Sequence, residues 1–544
     1  MPGHTHRPFG YSEESAWTAP DIHEWQESDM SSAISLAVIG GGASAVCLID
    51  ALAQRDTAPG SITVFEPSPH LWRGRAYQSD TTTVRVNATP DDMSVRAGDL
   101  RHFERWLMTR DRILGLPEGT TGLDPKAGAR FAPRTEYGEY LEQTAHAALA
   151  KLRLRGWRVD LVSESVTSAN LAAGRAMLRT NEGRVRAFDY AVLCVGGDSP
   201  KDVYGLNGNQ GFVADPYPIT QKLQAVGPDQ HVAVVGSGLT SVDIIISLAS
   251  RGHRGRISLL SRRGMLPGVR QKPVHFDLKH VTPERMQRLS KRQTSLRIAE
   301  IADLIGKEFA EAGADLTAVI EEITGAHRED PVERLRRQLS EVDSPDLGLR
   351  ILQRAVPDTG PDIWPLLSER DKVELLRTHY RTIMSLCCPM PPSSANELLR
   401  LADEGRLSII SGLQDISAAP DGGFTVETSE QEAFRADVVI NAVNASEGKI
   451  PNAAAPLVNS LTRNRLADRH PHGGLHIARA TSRLAVEGRP EPRWYALGNI
   501  AAGTLFFTFG IPSLVDRSQD IVRAVLAHSD RIAGLRAERV LQHA

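Results

Sequence analysis

An α/β chain of two strand–glycine turn–helix units, with a mostly helical insertion, is the fold this sequence predicts. Three observations carry that reading. Leu36-Ala37-Val38-Ile39 runs into Gly40-Gly41-Gly42-Ala43-Ser44-Ala45. Val232-Ala233-Val234-Val235 runs into Gly236-Ser237-Gly238-Leu239-Thr240-Ser241, the second turn starting 196 residues after the first. Between about 276 and 400 the apolar residues instead recur at helical spacing, as Ile298, Ile301, Ile305 and Phe309 do.

Each turn has the same physical logic. The first glycine permits the tight turn, the second lets backbone approach a pyrophosphate, and a small third residue lets helix and strand pack. The pyrophosphate then rests at a helix N-terminus, where free N–H groups and the helix dipole favour an anion. One such turn is common. Two, each followed by an apolar helix and a second strand, predict two Rossmann-like dinucleotide-binding domains.

The end of each second strand separates the two sites. Ser61-Ile62-Thr63-Val64-Phe65 leads to Glu66, 26 residues after Gly40. A carboxylate there accepts hydrogen bonds from ribose hydroxyls and repels a phosphate. Ile257-Ser258-Leu259-Leu260-Ser261 leads to Arg262 and Arg263, and Arg262 is again 26 residues after its first glycine. Guanidinium groups suit a 2′-phosphate. The first site therefore reads as FAD and the second as NADP(H), with NAD(H) beside a merely solvated basic loop as the alternative.

Along the chain, residues 1–33 are polar, carry His4 and His6, and read as a disordered arm. An FAD-binding domain is expected over 34–210 and the first part of an NADP-binding domain over 211–275. The helical insertion follows over 276–400, with Thr282-Pro283 as a helix start, Pro331 to Leu339 as a helix, and Ser368 to Met384 as another opened by a Ser368/Asp371 capping box. Residues 401–445 return to the nucleotide domains through the strand Asp437 to Ala442, which parallels Asp189 to Gly197 earlier. Residues 446–530 close the FAD domain, and 531–544 form a C-terminal tail. Gly498, Gly503 and Gly510, with Phe506, Phe507 and Phe509, suit a segment lying against a flat aromatic ligand.

Composition sets bounds. The chain has 544 residues, enough for two to four domains, and a formal charge of −3, so nothing calls for nucleic acid or an anionic membrane. Its most apolar stretch, Val232 to Ala249, contains the second turn and Asp243, and so reads as a buried strand and helix. Four cysteines, Cys47, Cys194, Cys387 and Cys388, suit a reducing, cytoplasmic setting. No C-x-x-C or C-x4-C pair occurs, against a dithiol-bearing disulfide reductase. Adjacent Cys387 and Cys388 are either two small packed side chains or a vicinal disulfide. No H-E-x-x-H, G-x-S-x-G or Walker motif is present, and no metal is expected.

These motifs resemble a family. The chain is similar to bacterial FAD/NAD(P)-binding proteins related to the class B flavin monooxygenases, in the branch with amino-acid N-oxygenases such as nitrosuccinate-forming aspartate N-monooxygenases. The resemblance rests on Val38 to Ser44, Gly74-Arg75-Ala76-Tyr77, Val86-Asn87-Ala88 with Met93-Ser94, Phe131-Ala132-Pro133-Arg134 with Tyr137-Gly138, Gly236 to Asp243, Ser261 to Gly264 and Leu497-Gly498-Asn499. It implies FAD contacts at Gly40, Gly42, Ala43, Ser44, Ala45 and Glu66, with Arg75, Asn87, Met93 and Ser94 along the flavin. Gly498, Asn499 and Phe507 would belong to the segment closing over its ring. NADPH would meet Gly236, Gly238, Leu239, Thr240, Ser241, Arg262 and Arg263.

The chemistry so implied is NADPH-dependent oxygenation by FAD, in which O2 forms a flavin hydroperoxide that hydroxylates the nitrogen of an amino acid or small amine. A reductase without oxygen transfer and a non-catalytic flavin-binding sensor are the alternatives. Arg377, His379 and Arg381 fall on one expected helix, with the two arginines at i and i+4 as candidates for a substrate carboxylate and a surface salt bridge as the competing role. Three departures from related sequences stand out. Asn441-Ala442-Val443 replaces the Ala-Thr-Gly of siderophore-type hydroxylases, against that assignment. The Baeyer–Villiger fingerprint is missing, with Asp215-Pro216-Tyr217-Pro218 nearby instead, against lactone-forming chemistry. His379-Tyr380-Arg381 stands where the branch often has a His-Arg-rich helix, which leaves the substrate pocket open. The partners expected are a small substrate and O2, and a homo-oligomer is admissible for an enzyme of this size.

Overall fold

The structure is a computed structural model that describes residues 33–543, apart from residues 294, 444–449 and 509 and the side chains of residues 537 and 539–543. The expected arm at 1–33, but for its last residue, and Phe509 lie outside the described residues. Two parallel sheets organise the rest. The first has the strand order Ile477–Ala478, Arg483–Val486, Arg489–Ala496, Tyr190–Leu193, Ser35–Ile39, Ser61–Phe65, Arg158–Val162, and its last five strands are mutually parallel. The second runs Phe212–Val213, Val438–Asn441, Val232–Val235, Ile257–Leu260, Leu407–Ile410, parallel throughout.

Continuous apolar strands follow from burial on both faces. In Ser35–Ile39, Leu36 and Val38 enter one core with the helices Ala43–Ala53, Arg134–Leu154 and Ile511–His543. Ala37 and Ile39 enter another, with the helix Ala455–Arg463 and the three-stranded sheet of Val166–Ala172, Arg175–Thr180 and Val185–Phe188. The second sheet repeats the device: Val232 and Val234 face one core, Ala233 and Val235 the other. Side chains alternate across a strand, so one short run feeds two layers.

Several expected boundaries move. The helices Pro283–Arg292, Ile298–Ala312, Leu316–Gly325, Pro331–Ser340 and Gly348–Ile363 form the insertion. Thr282 caps as expected, accepting from the Arg285 N–H, and Ser368 accepts from the Asp371 N–H without the reciprocal bond of the expected capping box. The helix Pro392–Asp403, however, buries Ala395, Leu398, Leu399 and Leu401 in the second domain's core, so it is that sheet's crossover rather than part of the insertion. Residues 401–445 also contain an unexpected antiparallel sheet of Leu413–Ala418, Phe424–Thr428 and Phe434–Ala436. No separate tail begins at 531, because the last helix runs unbroken from Ile511 to His543. Its apolar residues up to Leu526 pack on the first core.

Cys387 and Cys388 are free, as are Cys47 and Cys194, and burial pushes the Cys388 thiol up to about 12. No described helix is long and apolar enough to cross a membrane.

Candidate active site: two nucleotide turns and a closing segment

Register brings the first site together. Ile39 pairs with both Phe65 and Leu193, so Gly40, Glu66 and Cys194 leave the sheet at one edge. The Gly40 N–H donates to the Phe65 carbonyl at 2.8 Å, and the Cys194 N–H to the Ile39 carbonyl at 2.7 Å. Gly40 has φ +104°, and a Cβ there would lie 2.2 Å from the Cys194 carbonyl oxygen, so only glycine fits. Glu66 accepts from the Gly41 N–H at 2.7 Å and the Ser68 N–H at 2.9 Å, which fixes its carboxylate beside the turn.

The second site is built to the same plan. Val235 pairs with Leu260 and Asn441, so Gly236, Ser261 and Ala442 emerge together. Gly236 has φ +110°, and a Cβ would lie 2.7 Å from the Ala442 carbonyl oxygen. The departure at Asn441-Ala442-Val443 thus lies directly beneath this turn. Ser241 turns its hydroxyl back to the Gly238 carbonyl at 2.6 Å, while Leu239 and Thr240 open the helix Leu239–Ser250.

Both sites fit the groups expected of them. The helices Ala43–Ala53 and Leu239–Ser250 start at Gly42 and Gly238, and neither start is capped by a side chain. Ala43, Ser44 and Ala45 form the first turn of the former. A cavity of about 250 Å³ adjoins the second turn, lined by Ser237, Ser261, Arg262, Arg263, Met265 and Arg381. None of its three arginines has an ion-pair or hydrogen-bond partner among the described residues. Carboxylate at one strand tip and unneutralised guanidinium at the other match an unphosphorylated ribose and a 2′-phosphate respectively.

The remaining flavin-side candidates scatter. Met93 is buried, and its carbonyl accepts from the Tyr137 hydroxyl at 2.9 Å. Ser94 donates to the Asp99 carbonyl at 2.6 Å, within its own loop. Asn87 offers its carbonyl to Arg270 Nε at 2.9 Å. Arg75 grips Asp215 through Nε at 3.2 Å and Nη2 at 2.7 Å, and its guanidinium lies 5.1 Å from the Tyr217 ring centroid. It therefore ties the first domain to the loop that enters the second.

Sequence reading missed the rest of that joint. Arg134 Nη2 meets Asp243 at 2.9 Å and Nη1 donates to the Tyr217 hydroxyl at 3.1 Å, while that hydroxyl donates to Asp243 at 2.9 Å. Burial lifts the Asp243 carboxyl to about 6, outweighing the pull of Arg134. Arg134 and Asp243 both stand in the resemblance motifs, yet no spacing rule links residues 109 positions apart.

Gly498 has φ +85° and ψ −147°, and a Cβ there would lie 2.9 Å from Ser44 Oγ, so the closing segment sits on the first turn's helix. Asn499 opens the short helix that follows. Phe506 has φ +64° and ψ −67°, and the Phe507 N–H donates to the Leu505 carbonyl at 2.8 Å, forming a strained γ-turn. Contacts from the insertion hold it: Trp364 stacks on Phe506 at 4.7 Å, Tyr380 meets it edge-on at 5.9 Å, and Trp364 Nε1 donates to the Gly503 carbonyl at 2.9 Å. Phe507, expected at the cofactor, is buried instead in the insertion's core with Phe309, Ile351 and Leu386.

The expected pairing of Arg377 with Arg381 does not form. Leu375–His379 is a π-helical turn between the α-helices Glu369–Glu374 and Tyr380–Cys387. Its wider turn breaks the i,i+4 phase. Arg377 points to solvent and pairs with Glu374 at 3.0 Å, whereas Arg381 faces the second site's cavity. His379 is half-buried at the end of that turn. No group of described side chains is arranged to hold a metal ion.

Two family models match the chain. Residues 37–198 match an FAD-NAD(P)-binding family, and residues 126–323 match the L-lysine 6-monooxygenase/L-ornithine 5-monooxygenase family. Similar solved structures include an ornithine N-hydroxylase of Kutzneria sp. 744 with reduced FAD, NADP+ and L-ornithine, 14% identical, TM-score 0.55. A reduced ornithine hydroxylase of Pseudomonas aeruginosa is 15% identical with TM-score 0.54, and an L-lysine 6-monooxygenase of Pseudomonas syringae has the same two values. Each likeness covers 91% of this chain and 99% of the other, and at these identities it establishes a shared fold. No curated protein matches the sequence.

Proposed function

We propose that this FAD- and NAD(P)-binding oxidoreductase is an NADPH-dependent monooxygenase that hydroxylates the nitrogen of an amino acid or small amine. The observation that carries it is the asymmetry of two otherwise identical turns, Glu66 at one strand tip and Arg262 with Arg263 at the other. The match over residues 126–323 supports oxygen transfer rather than simple reduction. The departure at Asn441 to Val443 falls outside that stretch and leaves the reading intact.

Bound FAD supplies hydride acceptance from the nicotinamide and activation of dioxygen. The chain supplies the setting. The uncapped starts of Ala43–Ala53 and Leu239–Ser250 take the two pyrophosphates, and Glu66 accepts from the ribose of the first nucleotide. Arg134, Asp243, Tyr217, Arg75 and Asp215 fix the two domains against each other, which sets how the nucleotides meet. Trp364 and Phe506 hold the closing segment against the insertion.

The related enzymes are named for ornithine, lysine and cadaverine, so amino acids and diamines are the substrates to try first. A cytoplasmic homo-oligomer is the working form we expect. The test is a screen of these amines for substrate-dependent NADPH oxidation, with product mass measured. One added oxygen atom per turnover is the expected result. NADPH oxidation that yields only peroxide with every amine, or none at all, would overturn the reading.

A further inference from the structure

The helical insertion reaches the second nucleotide site through one residue. Arg381 lies in the first turn of Tyr380–Cys387, 118 residues after Arg263 in sequence, yet it lines the same cavity as Ser261, Arg262 and Arg263. The cavity's volume of about 250 Å³ is far above the ~10–15 Å³ that admits one water.

Charge is the informative part. Insertion arginines nearby are neutralised: Arg334 pairs with Glu322 at 2.7 Å, and Arg337 with Glu322 at 2.8 Å and Glu329 at 2.7 Å. Arg262, Arg263 and Arg381 have no carboxylate partner among the described residues. All three are exposed at the cavity mouth, and partial desolvation, then the charges of Arg262 and Arg263, pull the Arg381 guanidinium below its ordinary range. Three cations gathered with no anion repel one another. A phosphate monoester, doubly charged and rich in acceptors, is the missing partner.

We infer that Arg381 closes the 2′-phosphate pocket from the insertion side, so that NADPH clamps the insertion onto the second dinucleotide domain. The inference rests on the NADPH reading above and assigns that phosphate a further, specificity-determining residue. It also gives the clamp a route inward. Tyr380, adjacent to Arg381, is edge-on to Phe506 of the closing segment, and Ser385 on the same helix donates to the Leu266 carbonyl at 2.6 Å. Gripping Arg381 therefore steadies the helix that supports the strained turn at Phe506.

The test is calorimetric binding of adenosine 2′,5′-bisphosphate, 5′-AMP and inorganic phosphate to the FAD-loaded protein, with Arg262→Gln, Arg381→Gln and Arg381→Lys as variants. Arg381→Gln removes a charge-assisted hydrogen bond and is expected to weaken the bisphosphate at least about tenfold while leaving 5′-AMP unchanged. Arg381→Lys is expected to recover part of the loss. Hydrogen exchange supplies a second readout: the bisphosphate should protect amides of residues 375–387 in the parent protein and not in Arg381→Gln.

Unchanged bisphosphate affinity in Arg381→Gln, with a loss in Arg262→Gln, would overturn the role of Arg381 and leave the NADPH reading standing. Equal affinity of the parent protein for bisphosphate and 5′-AMP would instead overturn the NADPH reading itself. Inorganic phosphate binding as tightly as the bisphosphate would show a general anion pocket and overturn the inference. Should Arg381→Gln fail to fold, absence of ligand-dependent protection at 375–387 in the parent protein overturns it equally.

Discussion

Arg134 and Asp243 meet at 2.9 Å across the joint between the two dinucleotide domains, both largely buried, with the Tyr217 hydroxyl bonded to each. Removing one charge of a buried pair strands the other, at a cost of ~3–5 kcal/mol. Arg134→Met is therefore expected to lower the denaturant midpoint sharply. Asp243→Asn leaves the buried Arg134 guanidinium without its counter-charge, and a guanidinium cannot shed its proton while a stranded carboxyl can take one up, so its loss should be at least as large. A double variant that loses the full sum of the two single losses would argue against the pairing.

Gly498 rests against Ser44 in a backbone region that is essentially closed to other residues, where strain is worth ~1–3 kcal/mol. Gly498→Ala should shift the closing segment off the helix start that takes the FAD pyrophosphate. We expect purified protein with much reduced flavin content, read from the visible absorbance per polypeptide. Full flavin retention would show that this contact does not position the site.

Glu66 holds the Gly41 and Ser68 N–H groups, so it both shapes the first turn and presents acceptors to a ribose. Glu66→Gln keeps one acceptor and should bind FAD several-fold more weakly. Glu66→Ala loses hydrogen bonds to a charged group, each worth ~1.5–3 kcal/mol, and should lose FAD by at least about tenfold. Flavin fluorescence quenching on titration measures both. An order reversed between the two variants would contradict the role.

Asp358 lies on the insertion helix Gly348–Ile363. Burial raises its carboxyl to about 6; Arg354 pulls it down, and the charges of Asp92 and Asp516 add to the rise. The folded protein thus holds this proton more tightly than the unfolded chain. Stability from the protonated form is fully present below the ordinary value of 3.8 and is lost as pH rises through about 6. Asp358→Asn should raise Tm at pH 8 and change it little at about pH 3.5, below the ordinary carboxyl value. An equal shift at both pH values would point to packing instead.

Much of the site was legible because its parts are local. A glycine turn, the strand before it and the strand tip 26 residues later all belong to one β-α-β unit, so Gly40 with Glu66 and Gly236 with Arg262 could be read together. The insertion's helices were legible from periodicity and capping at Thr282 and Ser368. For Arg377 the surface salt bridge is the role found, with Glu374, whereas reading Arg377 with Arg381 by i,i+4 logic assumes an unbroken α-helix, and no residue between them announces a π turn. Phe507 misled because an apolar ring beside glycines suits a ligand wall and a core equally well.

The sequence by itself determined two nucleotide folds and their unequal chemistry, since hydrogen-bonding and charge preferences at a strand tip are set by residue type within a short stretch of chain. Only the tertiary structure decided how those folds are joined and closed. Arg134 with Asp243, Gly498 with Ser44, and Phe506 with Trp364 are contacts between distant segments, and Arg381 joins Arg262 in lining one cavity, all chosen by how layers pack rather than by any periodicity along the chain. Packing depends on the summed shape of many side chains, and that sum exists only once the chain has folded.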